Sequence, residues 1–152
     1  MGDYMDNKAL RKLAFGRKVE RATATLPQSA TAAIFNILTG RVAITRIIGE
    51  VTVILGAVGN MSLNGAPTVG TAVPLCAVVA AGTKEAGTLL GITGTFANAM
   101  LAANAGALEA QVKDVILNVG TLTLTLSASS TGSVKWTLFY IPIDDGAYVA
   151  AA

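Results

Sequence analysis

Thr121-Leu-Thr-Leu-Thr-Leu126 and, a few residues on, Ser133-Val-Lys-Trp-Thr-Leu-Phe-Tyr-Ile-Pro-Ile143 set the fold class. Side chains alternate between the two faces of a strand, so a period of two is a strand signature. In the first stretch Leu122, Leu124 and Leu126 share one face, and Thr121, Thr123 and Thr125 share the other. In the second, Val134, Trp136, Leu138 and Tyr140 point one way, and Lys135, Thr137, Phe139, Ile141 and Ile143 point the other. Both faces of that second strand become apolar toward its C-terminal end. Such a strand is covered on two sides, inside a sandwich or against another subunit.

The same reading extends through most of the chain. Thr31–Leu38 is an expected strand, and Thr39-Gly40 a turn. Arg41–Leu55 is a long run of Val, Ile and Thr, which suit a pleated surface, with Gly49 as a bulge or corner. Further strands are expected at Asn60–Ala66, Thr71–Ala80 and Thr88–Thr95. Val112–Asn118 and Thr121–Ser127 flank Val119-Gly120, which reads as a tight hairpin. Residues 96–110 fit either a short helix or a long loop. No fixed-period repeat is present. About eight strands joined by closely spaced turns predict an all-β fold, a single sandwich or barrel.

Charge divides the chain unevenly. Lys8, Arg11, Lys12, Arg17, Lys18 and Arg21 stand against Asp3, Asp6 and Glu20 in the first 21 of 152 residues, whereas the rest carries five basic and six acidic residues. The expected organisation is a basic N-terminal arm (1–26), a β body (27–146) and a short C-terminal tail (147–152). Ala9–Phe15 has room for one or two helical turns with Leu10 and Leu13 at i, i+3, and Gly16 interrupts them. So short a helix is marginal alone, so disorder or order borrowed from a partner is expected. Leu10, Leu13, Phe15, Val19 and Leu26 are too apolar for a solubility tail, which favours a docking arm. Mixed with the bases, they fit docking on an acidic protein surface better than binding of nucleic acid. The charge-poor body suits a subunit whose outside is covered by neighbours.

The charge-free stretches 51–83 and 86–108 are broken by Gly, Pro and Asn and do not read as membrane spans. The basic start lacks the apolar segment of a secretory signal, so a cytosolic origin is expected.

Residues able to carry catalysis are scarce. The sequence contains no histidine and a single cysteine, Cys76. The usual general base and the commonest metal ligand are therefore missing. Cys76 lies in an apolar strand and reads as a buried, inert thiol. Asp144-Asp145-Gly146 reads as turn chemistry ahead of calcium ligation, which needs a wider set of oxygen donors. Gly91-Ile-Thr-Gly94 has no lysine behind it and is no phosphate loop. Arg46 and Glu50 are close in sequence in an apolar run, an expected interface salt bridge. No enzyme activity, cofactor or metal is expected.

Three segments carry a resemblance: Ser29-Ala-Thr-Ala-Ala-Ile-Phe-Asn36, residues 40–52 (Gly40 to Thr52) and residues 131–146 (Thr131 to Gly146). They resemble small β-rich virion proteins of tailed bacteriophages, over most of residues 28–150. The resemblance implies a role like that of capsid decoration (cement) proteins, which cover seams between major capsid subunits, often as trimers. The implied partners are the major capsid protein and copies of the chain itself, with no direct nucleic-acid or membrane contact. The implied location is the virion surface after synthesis in the host cytoplasm. On this reading Leu10, Arg11, Lys12, Leu13, Phe15, Arg17, Lys18 and Arg21 bind the partner. Trp136, Phe139, Tyr140 and Ile141 carry self-association. Tail-tube, connector and fibre subunits have the same composition and form the alternative. A small carbohydrate-binding β-module is a further one, weakened by one Trp and three Tyr, little ring surface for sugar stacking.

Overall fold

The computed structural model describes residues 5–56 and 59–152. Asp3 and Tyr4 of the basic segment lie outside the described residues. Among the described residues there is one helix, α1 (Asn7–Phe15). Twelve strands follow it among those residues: β1 (Arg17–Thr25), β2 (Thr31–Leu38), β3 (Val42–Val53), β4 (Asn60–Pro67), β5 (Val73–Pro74), β6 (Val79–Ala80), β7 (Leu89–Gly91), β8 (Leu101–Ala103), β9 (Val115–Leu117), β10 (Gly120–Leu126), β11 (Ser133–Pro142) and β12 (Tyr148–Ala151). Among the described residues no helix is long and apolar enough to cross a membrane.

The strands form two antiparallel sheets of six. Sheet A runs β1-β11-β3-β7-β8, with β9 also on β3, and sheet B runs β12-β2-β10-β4-β5, with β6 also on β4. The molecule is all-β and is not one closed barrel. The leucines of β10 point inward as the alternation requires, with Leu122, Leu124 and Leu126 each about 1% exposed. They meet Val134, Trp136 and Leu138 of β11 in one core shared by both sheets. Each such side chain contributes roughly 1.5–3 kcal/mol over leaving it in water, which is why the two sheets hold without a disulfide.

Several expectations change. Residues 17–25 are not a detached arm. They form the edge strand β1, paired with β11 from Arg17↔Tyr140 to Thr25↔Ser133. Val19 packs against the core and Leu26 belongs to it. The C-terminal residues are no free tail, because β12 pairs with β2. Val119-Gly120 is no hairpin. β9 pairs with β3 in sheet A while β10 lies in sheet B, so this turn carries the chain from one sheet to the other. Residues 96–110 contain the short strand β8 and no helix.

Gly49 is neither bulge nor corner. It faces Trp136 across the β3–β11 ladder, and a Cβ there would lie 2.7 Å from the indole. The bulge falls nearby instead, where the register shifts between Phe139↔Arg46 and Tyr140↔Ile44. The extra residue lets Thr45 and Arg46 both escape the core, while Ile44 and Ile47 stay in it.

Candidate attachment site

The N-terminal helix is well formed but buries nothing. Asp6 caps it, accepting a hydrogen bond from the Ala9 amide at 2.6 Å, which satisfies one of the orphan amides of the first turn. Gly16 ends it at φ +90. A Cβ on Gly16 would lie 2.1 Å from the Tyr140 carbonyl oxygen, so only glycine lets the chain turn here against the backbone of β11. No residue of α1 is buried. Leu10 is 53% exposed and Leu13 73% exposed.

Phe15 ties the helix to sheet A. Its ring meets Phe139 edge-on, with centroids 5.5 Å apart, and the Arg46 guanidinium lies over it at 4.4 Å. The Thr45 hydroxyl donates to the Phe15 carbonyl. The bulge in β3 makes this possible by turning Thr45 and Arg46 to the same side. Arg46 and Glu50 therefore do not pair. Four residues of strand separate them by about 13 Å, and Arg46 is committed to Phe15. Its Nε is buried with no hydrogen-bond partner.

Between α1 and the sheet A edge lies a cleft of about 530 Å³, lined by Lys8, Arg11, Lys12, Gly16, Arg17, Lys18 and Tyr140. Lys8, Arg11 and Lys12 stand at i, i+3 and i+4 and share one helix face. Lys18 is paired with Glu20 at 2.7 Å, and Lys135 approaches the same carboxylate at 3.9 Å. The Lys18 hydrogen bond holds the Glu20 carboxyl below its ordinary range. Among the described residues Lys8, Arg11, Lys12 and Arg17 make no ion pair. Arg21 lies apart from them and donates from Nε to the Ala152 carbonyl at 3.2 Å.

The expected self-association residues separate into two groups. Trp136 and Tyr140 belong to the core, 1% and 5% exposed, so they reach neither a second copy nor a sugar. Phe139 is covered from outside by Phe15 of the same chain. Only Ile141, 45% exposed, keeps a free face. The second apolar face of the closing strand is thus explained largely from within the molecule.

Register places Thr31, Ala33, Asn36, Ser62, Asn64, Thr121, Thr123, Thr125 and Ala150 on the outer face of sheet B, none of them charged, with Ser62 and Thr123 buried and the others half-buried or exposed. Hydrogen bonds tie it together: the Thr31 and Thr125 hydroxyls at 2.7 Å, and Asn64 Nδ2 to Thr125 Oγ1 at 2.9 Å. Beside it an apolar groove of about 220 Å³ includes the exposed Val73, Phe96 and Ile116.

Asp144 and Asp145 follow the turn reading. Asp144 accepts from the Arg41 amide at 2.8 Å and from its guanidinium through both carboxylate oxygens, at 2.9 and 2.7 Å. Those bonds hold its carboxyl well below the usual carboxylate range. Gly146, at φ +79, completes the turn. Cys76 is buried beside Leu63, and burial pushes its thiol up.

No protein-family model matches this chain, and neither does a curated protein or a solved structure.

Proposed function

We propose that this chain is a non-enzymatic structural protein of a tailed-bacteriophage virion, a head decoration subunit that binds the major capsid shell and stabilises it. The body is then a β-sandwich that associates with its own copies. The N-terminal segment attaches it to the shell. The observation that carries the reading is α1: a capped helix, fixed to the body through Phe15, that holds Leu10 and Leu13 out in solvent on the face away from its cations. Two neighbouring leucines on the outward face of a surface helix form an apolar contact that a partner can cover.

The charge-free outer face of sheet B supports contact between copies, because neighbours can approach it without desolvating a charge. Trimers are proposed from the phage resemblance. Many copies on one shell turn modest individual contacts into firm attachment.

The test uses Leu10→Ser with Leu13→Ser. Both side chains are exposed, so the body should fold as before. Particles lacking the protein, incubated with the variant, should stay undecorated while the unmodified chain binds. Normal decoration by the variant would sink the proposal, and density found along a tail would move the chain to the tail or fibre class.

A further inference from the structure

The cations around α1 are exposed, and they are gathered on one side of the molecule. Lys8, Arg11 and Lys12 of the helix and Arg17 and Lys18 of β1 line one cleft over Tyr140. One acidic group, Glu20, pairs there with Lys18, and Asp6 is spent on the helix cap. Like charges on two elements that share a cleft repel, and nothing else in α1 is buried to offset it. An anionic group bridging helix and strand removes that repulsion and gains charge-assisted hydrogen bonds, bidentate at an arginine.

We propose that the cleft between α1 and the β1–β11 edge takes a carboxylate-rich segment of a partner protein, whose acidic side chains bridge Arg11 and Arg17. This rests on the reading of the N-terminal segment as the attachment element and adds the chemistry of what it grips. Charge complementarity sets the acidic character, since the cleft is lined by five cations and no free carboxylate. A nucleic-acid strand fits less well. Single strands bind where bases stack on exposed rings. Here Phe15 is occupied by Phe139 and Arg46, and Tyr140 is 5% exposed.

The experiment titrates the full chain, in solution, with fluorescein-labelled polyglutamate. Polylysine of the same length and a single-stranded oligothymidylate serve as the other arms. Saturable binding to polyglutamate, tighter than to either other arm, is expected. Arg11→Glu with Arg17→Glu should weaken it about tenfold or more, since the pairs lost are charge-assisted. Lys84→Glu with Lys113→Glu, the same charge change elsewhere, should leave it within about twofold. Amide exchange in α1 should slow on binding. Three results would overturn the proposal: no saturable binding, equal loss in both variants, or tighter binding of the oligothymidylate through Arg11 and Arg17. Peptide binding is read without any particle. A chain that binds the peptide but fails to decorate heads sinks the decoration role alone, and one that decorates normally with Arg11 and Arg17 reversed sinks the cleft alone.

Discussion

The Arg46 guanidinium stacks over the Phe15 ring, 4.4 Å from its centroid, and so fastens the end of α1 to the third strand of the body. Phe139 meets the same ring at its edge. An aromatic pair adds about 0.5–1.5 kcal/mol, and a partly buried cation–π contact about 0.5–2 kcal/mol. Phe15→Ala should therefore release the helix and leave the sheets in place. Amide exchange of residues 7–15 should rise to the rate of an unstructured peptide while β10 and β11 stay protected. Continued protection of α1 would show that other contacts hold it.

Gly49→Ala tests the central packing. The added methyl would sit 2.7 Å from the Trp136 ring, and overpacking of this kind costs about 1–3 kcal/mol. Urea denaturation should show a lower midpoint with an unchanged slope. Equal midpoints would mean that Trp136 can shift freely within the core.

Acid should weaken the Arg41–Asp144 corner. Asp144 has its carboxyl lowered in the folded state, first by the Arg41 side-chain hydrogen bonds and then by the Arg41 amide. A lowered carboxylate contributes stability that is present above its unfolded pKa and is lost as pH falls below it through the folded value. At neutral pH Asp144→Asn should melt below the unmodified protein, and the gap should close as acid protonates Asp144. A gap independent of pH would assign the loss to turn geometry instead.

Where reading the sequence worked best, burial on one face had left an alternation: β10 and β11 lie where their Thr/Leu and Val/Trp/Leu patterns place them, and β2, β3 and β4 fall within a few residues of the apolar runs between turn signals. β1 was hidden because an edge strand has one free side and carries charge, and its Arg-Lys-Val-Glu-Arg start resembles a soluble arm. β12 is four residues long and half alanine, so it has little pattern to read. At the site, the helix and its stop at Gly16 were legible from spacing. The placing of Arg46 on Phe15 was not, because it depends on a bulge that no single residue announces. Trp136 and Tyr140 were assigned to self-association since an apolar strand face looks the same whether a neighbouring sheet or a neighbouring copy covers it.

Self-association should run through sheet B rather than through Trp136. Ala33 and Ala150 stand on its uncharged face. Lysines placed at both should stay folded, since long side chains reach water easily, and should dissociate an oligomer in sedimentation. An unmodified chain that sediments as a monomer, or a double variant that still assembles, would remove this face from the account.

The proposed anchoring of this chain to a phage head through its N-terminal helix is tested most directly by cryo-electron microscopy of virions carrying the chain. Density for the two-sheet body on the outer head surface, with α1 turned toward the shell, is the predicted result. Density along the tail, or none on the particle, would contradict it.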